Sequence, residues 1–224
     1  MEILRTLVED GKSLLLRRSP ERRNALELVL GNVVLLSSAA LETERFFGRL
    51  AIGSHIVIGG LGFGATLRGV LEVAPPDARI IVVEKLAAVI DVARNEAKDM
   101  VGGALDDPRV VLEHADVADV IARERGCSSI LLDVDNGPEW ASFRTNARLY
   151  ADAALVATRE ALAPGGIFAV WSGYPADAFL SRLRRARFAA RLRGDEVRLI
   201  TRGSACLSPL RHRRHRFDPQ AGAK

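Results

Sequence analysis

The sequence predicts an α/β protein built on a doubly wound parallel sheet, with a small N-terminal β-appendage before it. Two patterns predict this fold. From residue 55 onward, short apolar runs typical of buried strands alternate with longer segments typical of helices. Before that point, residues 1–37 hold short strand-like runs separated by turn signals at Ser19-Pro20 and Gly31-Asn32. Strands that are apolar throughout are buried on both faces, which favours a parallel sheet with helices on each side.

The predicted elements after the appendage follow a regular order. The first is a helix over about 39–50, with Ser37 or Ser38 as its N-cap. The strands are expected over 55–58, 79–84, 110–112, 130–133, 167–171, 187–193 and 197–202. The helices between them are expected over 65–74, 86–100, 117–125, 144–162 and 176–186. The last two strands are predicted to form an antiparallel hairpin.

Composition excludes several classes of protein. With 224 residues, 48% of them hydrophobic and 27% charged, the chain suits a globular domain with a real core. Disordered, collagen-like and disulfide-stapled classes are excluded. The N-terminus lacks the apolar core of a signal peptide, and no apolar run reaches about 18 residues. We therefore expect a cytoplasmic protein without a membrane segment.

Positive charge is concentrated near the C-terminus. Residues 182–216 carry 12 arginines and two acids, a net charge of +10, whereas the rest of the chain has a net charge of −6. Such a segment can bind nucleic acid. Only 4 of the 32 basic residues are lysines, so we interpret the segment as part of a general arginine bias and do not expect nucleic-acid binding. We divide the chain into the appendage over 1–37, a nucleoside-binding domain over 38–207 and a mobile basic tail over 208–224.

The sequence offers little for a metal. Cys127 and Cys206 lie far apart without a C-x-x-C pattern and cannot form a zinc site by themselves. His212 and His215 have a metal-like spacing, but arginines flank them and no further ligand is near in sequence. We expect no metal.

A glycine-rich loop is the strongest indication of a ligand. Gly60, Gly62 and Gly64 follow the first strand of the alternating region and precede a helix. Glycines allow a sharp turn and a close approach to a ligand at the carboxyl edge of the sheet. Glu84 ends the second strand and can accept both ribose hydroxyls of a nucleoside, and Asp116 follows the third strand and can accept an adenine amino group.

Two ligand classes fit these residues. Gly-x-Gly-x-x-Ala, with Glu84 as the ribose acid, meets the dinucleotide fingerprint, but no second-nucleotide or hydride site can be named. The other class is a sulfonium nucleoside. Three carboxylates, Asp133, Asp135 and Glu139, stand just beyond the fourth strand and suit a cationic ligand, either the sulfonium or an amine. A carboxylate there can orient an attacking amine and accept its proton, although an acidic loop capping the next helix explains the same residues.

Three segments of the sequence match a known family. They are Ile58-Gly59-Gly60-Leu61-Gly62-Phe63-Gly64-Ala65-Thr66-Leu67-Arg68, then Gly102-Gly103-Ala104-Leu105-Asp106-Asp107-Pro108-Arg109-Val110, then Leu162-Ala163-Pro164-Gly165-Gly166. With these segments the chain resembles the spermidine synthases, the polyamine aminopropyltransferase-like branch of class I S-adenosylmethionine-dependent methyltransferases. The likeness covers roughly residues 26–172. It implies a seven-stranded, Rossmann-like, methyltransferase-like sheet after a small β-domain. It also implies a homodimer and a bound S-adenosylmethionine or its decarboxylated form.

The chain departs from this family at the amine half of the site. Phe63 stands where spermidine synthases have an aspartate. The acidic D-S-S-D-P loop is replaced by residues 133–138, and the helix over 43–47 lacks the family's Tyr-His pair. Asp133 aligns with the acid that handles the amine in the family. The absence of an acid at Phe63 removes one objection to a donor that bears a carboxylate, which slightly favours methyl over aminopropyl transfer.

The functional hypothesis is therefore alkyl transfer from a sulfonium nucleoside to a small nucleophile, an amine. The predicted catalytic residues are Asp133 and Asp135. The predicted nucleoside-binding residues are Gly60, Gly62, Gly64, Glu84, Asp116 and Asp133. The predicted substrate-binding residues are Phe63, Asp135, Asn136, Glu139, Trp140 and Tyr150. The alternatives are a spermidine synthase, an NAD-binding oxidoreductase and a nucleoside-binding protein without catalysis.

Overall fold

A computed structural model describes residues 2–19, 24–134, 146–172, 177–193 and 197–202. The strands in these ranges form two sheets, one of four strands and one of seven. The predicted basic tail over 208–224 lies outside the described residues. No helix in the described part of the chain is both long enough and apolar enough to span a bilayer.

The four-stranded sheet occupies the segment predicted as a β-appendage. Its strands pair antiparallel in chain order. They are β1 (Glu2–Glu9), β2 (Lys12–Ser19), β3 (Ala25–Leu30) and β4 (Val33–Ser37). Leu7, Leu14 and Leu16 from this sheet pack into the same hydrophobic core as the larger sheet. The small sheet therefore shares a core with the rest of the protein, and the division into domains at residue 37 stays a prediction.

The seven-stranded sheet has the order β10-β11-β9-β8-β5-β6-β7. Its strands are β5 (His55–Gly59), β6 (Arg79–Glu84), β7 (Val110–His114), β8 (Cys127–Leu132), β9 (Leu162–Trp171), β10 (Phe188–Arg193) and β11 (Val197–Arg202). β5 to β9 pair in parallel, whereas β11 pairs antiparallel with both β9 and β10. The predicted C-terminal hairpin is confirmed.

Helices cover both faces of this sheet. They are α1 (Leu41–Gly48), α2 (Ala65–Leu71), α3 (Ala87–Arg94), α4 (Lys98–Val101), α5 (Val117–Arg123), α6 (Asp152–Ala161) and α7 (Asp177–Arg185). Neighbouring strand residues point to opposite cores: Ile56 and Ile58 pack with the N-terminal sheet, and Val57 packs with α5 and α6. Two separate cores on one parallel sheet confirm the doubly wound α/β fold.

Two helix predictions were wrong in their lengths. The segment 86–100 is not one helix, because it divides into α3 and α4 at Asn95. The Asn95 side-chain amide donates to the Asp91 carbonyl oxygen at 2.8 Å, a local bond that competes with helix continuation. The helix predicted over 144–162 begins only at Asp152, and β9 starts at Leu162, so Pro164-Gly165-Gly166 belong to a strand.

Helices α1 and α2 cross at a contact that only glycines permit. A Cβ on Gly69 would lie 2.0 Å from the Arg45 carbonyl oxygen, and a Cβ on Gly48 would lie 2.1 Å from the Thr66 carbonyl oxygen. Real Cβ atoms do not approach backbone oxygens so closely. The crossing brings the side of α1 that carries Glu44 against the start of α2.

We predict that Gly69→Ala lowers the free energy of unfolding by at least about 3 kcal/mol, because the new methyl group forces the two helix backbones apart. Thermal or urea unfolding measures this change. The control is Gly103→Ala, where a Cβ meets nothing within 4 Å and only the positive φ of +77° adds strain, about 1–2 kcal/mol. Equal losses of unfolding free energy in the two variants would contradict the claim that the α1–α2 crossing leaves no room for a Cβ.

Candidate functional site

A cavity of about 520 Å³ lies at the carboxyl ends of β5, β6, β7 and β8. Its volume is within the range of small-molecule sites. The glycine loop after β5 and the residues that end the next three strands form its floor. The hairpins of the N-terminal sheet form its roof. The position is the carboxyl edge of the sheet, where the sequence predicted a ligand.

The glycine loop is held against β6 and the end of β8 by backbone hydrogen bonds. The Asp133 N–H donates to the Gly59 carbonyl oxygen at 2.8 Å, and the Gly60 N–H donates to the Val83 carbonyl oxygen at 2.8 Å. Gly60 has a φ of +94°, and a Cβ there would lie 2.0 Å from the Asp133 carbonyl oxygen. Gly60 is therefore required by the protein's own packing. Gly62 lines the cavity and leaves space for a ligand.

The Glu84 carboxylate is buried beneath this loop and lines the cavity. One oxygen accepts from the Leu61 N–H at 3.0 Å and the other from the Leu86 N–H at 2.9 Å. Burial raises the pKa of Glu84, and the backbone N–H groups oppose that rise. The N–H groups of Gly62 and Lys85 also act on this carboxylate, which still lines the cavity where a ligand hydroxyl can approach it.

Asp116 also lines the cavity, but its carboxylate is already engaged. It caps α5 by accepting from the Ala118 N–H at 3.0 Å. It also forms ion pairs with Lys85, at 3.1 Å, and with Arg148. Burial alone would raise the pKa of Asp116, but these donors outweigh it and hold the pKa below its usual value. An adenine amino group would have to share this carboxylate with two cations, and adenine binding by Asp116 stays a prediction.

Asp133 lies at the end of β8 and lines the cavity. The Thr66 hydroxyl lies 2.5 Å from Asp133 Oδ2 and 3.2 Å from the Glu44 carbonyl oxygen. This hydroxyl joins the start of α2 to β8 and to α1, and it fixes one oxygen of the carboxylate. Asp133 is thus positioned by a buried partner that the sequence analysis did not single out.

Glu44 is a second acid that sequence reasoning missed. Burial, and then the negative charge of Asp133, raise the pKa of Glu44 to about 8. Two carboxyl groups that share a site cannot both ionise easily. The sequence shows Glu44 only as an acid early in a helix, and the α1–α2 crossing is what brings it near Asp133.

The roof is fastened to the floor by polar contacts from β1. The Glu9 carboxylate accepts from the N–H groups of Ala87, at 3.2 Å, and Ala88, at 2.8 Å, at the start of α3. Arg5 forms ion pairs with Asp91 at 2.6 Å and with Glu96 at 3.2 Å. These contacts hold the β1–β2 hairpin over the cavity.

Other predicted site residues do not meet in the cavity. Phe63 and Tyr150, expected to bind substrate, are only 2% and 3% exposed and belong to the two hydrophobic cores. Tyr150 packs edge-to-face on Phe179, with ring centroids 5.3 Å apart. Gly64 precedes α2 and faces Val101, away from the cavity. Asp135, Asn136, Glu139 and Trp140 lie outside the described residues.

The position of Phe63 bears on the choice between methyl and aminopropyl transfer. The sequence favours methyl transfer only if Phe63 faces the donor in place of an acid. Because Phe63 is packed in the core and does not line the cavity, that reason is lost.

Among solved structures, two spermidine synthase structures match this fold with a TM-score of 0.66 and 17% identity, over 90% of this chain and 73% of the other. One is from Thermotoga maritima, and one is in complex with the transition-state analogue AdoDATO. A probable spermidine synthase from Corynebacterium glutamicum matches with a TM-score of 0.62 and 17% identity, over 93% of this chain and 83% of the other. At these identities the likeness shows the fold.

Curated proteins with a similar sequence belong to the same group of enzymes as these solved structures. Polyamine aminopropyltransferases of Mycobacterium tuberculosis and Mycobacterium bovis are 33% identical to this chain over 129 residues. This chain resembles the spermidine synthases. The aligned region is 54% of this chain and 23% of each relative, so the chain spans about a quarter of their length. No protein-family model matches.

The spermidine synthase-like resemblance predicted from the sequence is thus confirmed. The relatives carry the name of aminopropyltransferases, which supports the aminopropyl alternative better than the methyl transfer that the sequence slightly favoured. They offer no support for an NAD-binding oxidoreductase. Homodimerisation stays a prediction.

The raised pKa of Glu44 predicts how stability depends on pH. In the unfolded chain Glu44 loses its proton near pH 4.5, and in the folded protein near pH 8. The folded state therefore binds more protons between these values, and the free energy of unfolding falls as pH rises through them, by on the order of 5 kcal/mol. Glu44→Gln should flatten this dependence and stabilise the protein at pH 8.

Urea unfolding across that pH range measures the effect. Glu42→Gln is the matched control, because Glu42 lies on the same helix and is exposed. The control should keep the wild-type slope. A Glu44→Gln variant with an unchanged slope would show that Glu44 ionises normally in the folded protein.

Proposed function

We propose that this chain transfers an aminopropyl group from decarboxylated S-adenosylmethionine to a small amine. The observation that carries the proposal is the charge of the cavity at the end of the parallel sheet. Five acids and two lysines line it. The acids are Glu9, Asp10, Glu84, Asp116 and Asp133, and the lysines are Lys12 and Lys85. Such a cavity attracts a donor that carries a sulfonium and an ammonium group more than a donor with an added carboxylate.

The nucleoside half of the donor fits the floor of the cavity. Glu84 would accept the two ribose hydroxyls, because its carboxylate lines the cavity and is held in place by backbone N–H groups. Gly62 would let the loop approach the nucleoside closely. The adenine of the donor would lie beside Asp116, next to its ion-pair partners Lys85 and Arg148.

The reaction is a direct displacement at carbon. The amine nitrogen attacks the aminopropyl carbon bonded to sulfur, an N–C bond forms and the C–S bond breaks. The electron pair of that bond stays on sulfur, which becomes a neutral thioether nucleoside. The amine loses one proton. Catalysis would come mainly from holding donor and amine in line and from the negative field around the sulfonium.

Asp133 would orient the amine and receive its proton. The Thr66 hydroxyl donates to one oxygen of this carboxylate, and Asp133 lines the cavity. Glu44 would support it, because a neighbour whose pKa is raised to about 8 keeps its proton at neutral pH and adds no second negative charge beside Asp133. Asp135 is proposed as a further acid for the same amine.

We predict that the protein converts decarboxylated S-adenosylmethionine and an amine from a panel of di- and polyamines to the thioether nucleoside, measured by mass spectrometry. Asp133→Asn should lower turnover by about 100-fold or more, because the amide cannot accept the proton. Its affinity for the donor should fall far less than its turnover, because four of the five cavity acids remain.

Asp99→Asn on α4 is the matched control, since Asp99 is exposed and does not line the cavity. It should keep wild-type turnover. Formation of a methylated product from intact S-adenosylmethionine would contradict aminopropyl transfer and indicate methyl transfer instead. Tight donor binding without product from any amine would identify a binding protein instead.

A further inference from the structure

The opposite edge of the parallel sheet brings together three side chains that can ligate a metal. His55 begins β5, Cys127 begins the adjacent β8, and Glu124 directly follows α5. One imidazole nitrogen, one carboxylate oxygen and the Cys127 sulfur all lie within 4.8 Å of one another. This edge holds the amino ends of the strands, so the cluster is separate from the cavity and independent of the proposed transfer.

The backbone fixes the relative position of two of these ligands. The His55 N–H donates to the Ser128 hydroxyl oxygen at 3.0 Å, and the Ser128 hydroxyl donates to the His55 carbonyl oxygen at 2.8 Å. Reciprocal bonds of this kind lock the start of β5 to the start of β8. The His55 imidazole and the Cys127 thiol are thereby held in a fixed frame.

Hydrogen bonding leaves the His55 imidazole in conflict. Its Nε2 lies 2.9 Å from an Arg79 guanidinium nitrogen, which can only donate, and 3.0 Å from a Glu124 carboxylate oxygen, which accepts when ionised. A neutral imidazole cannot accept from one and donate to the other with the same nitrogen. The guanidinium also donates to the Glu124 carboxylate at 2.9 and 3.4 Å, and a metal ion in its place would bind the imidazole lone pair and the carboxylate directly.

We propose that His55, Glu124 and Cys127 bind a divalent transition-metal ion, and that zinc is the ion their chemistry fits. Imidazole, carboxylate and thiolate are the three protein ligands that zinc takes. Bonds of about 2.0–2.3 Å place the donors around zinc roughly 3–4 Å apart. Here the His55 nitrogen and the Glu124 oxygen are 3.0 Å apart, and all three donors lie within 4.8 Å of one another. Three protein ligands leave the fourth position to water or an added ligand.

Charge balance is favourable once Arg79 moves away. An ion has to displace Arg79 from its salt bridge with Glu124, at 2.9 Å, and the Arg79 side chain is 54% exposed, so it can turn into solvent. The Cys127 thiol gives up its proton to water as the sulfur–metal bond forms, and the thiolate and the Glu124 carboxylate neutralise the two charges of the ion. His55 and Glu124 are partly exposed, which gives an ion access, whereas Cys127 is buried. The bound ion would clamp β5, β8 and the end of α5 together.

Cobalt(II) is the probe, because a thiolate ligand produces a charge-transfer band in the near ultraviolet. We expect the full-length, metal-free protein to develop this band with one equivalent of Co²⁺, and Zn²⁺ to bleach it by displacement. Cys127→Ser should abolish the band. Cys206→Ser is the matched control, since Cys206 is the only other cysteine of the chain, and it should keep the band.

Two further variants keep the test decisive if Cys127→Ser does not fold. His55→Gln should weaken Co²⁺ binding by about tenfold or more, through loss of a direct ligand. Arg79→Gln should tighten it by about tenfold or more, through loss of a competing cation. Absence of the band in the wild type, its survival in Cys127→Ser, its loss in Cys206→Ser, or unchanged binding in His55→Gln would each overturn the proposal.

Discussion

A buried carboxylate under the glycine loop organises the carboxyl edge of the sheet. Glu84 ends β6, and its two oxygens accept N–H groups from opposite sides, one from the loop after β5 and one from the residue before α3. A buried carboxylate is costly unless such donors satisfy it. The loop and the start of α3 therefore have to lie where their N–H groups can donate to the Glu84 carboxylate. That arrangement leaves a cavity above the loop and places an acid in its floor.

The rest of the cavity depends on contacts between elements distant in sequence. The α1–α2 crossing at Gly48 and Gly69 brings Glu44 and Thr66 to Asp133 on β8. On the opposite side of the cavity, the Glu9 carboxylate accepts from the first N–H groups of α3 and holds the N-terminal hairpin over the cavity. The N-terminal sheet shares its hydrophobic core with the larger sheet, so roof and floor are parts of one packed unit.

The sequence was sufficient for features whose causes are local. Strand β6 was predicted with its observed bounds, because an apolar run between turn residues leaves few alternatives. The places of the glycine loop and of Glu84 at the carboxyl edge of the sheet could be predicted, because a strand, a glycine-rich turn and a helix follow one another directly in the sequence. Helix lengths were less predictable, as the break at Asn95 depends on one side-chain hydrogen bond.

Features that depend on tertiary contacts were missed or misplaced. Phe63 looked like a substrate residue in the loop, but the turn directs it into the core. Glu44 and Thr66 carry no local pattern that points to a site. His55, Glu124 and Cys127 meet only because β5 and β8, distant in sequence, are neighbours in the sheet.

We propose that the cavity selects a sulfonium nucleoside without a carboxylate. Calorimetric titration with S-adenosylmethionine and with its decarboxylated form, side by side, tests this most directly. We expect the decarboxylated form to bind more tightly by about tenfold, roughly 1.4 kcal/mol. Tighter binding of the intact form would contradict aminopropyl transfer, and binding of neither would contradict a nucleoside site in this cavity.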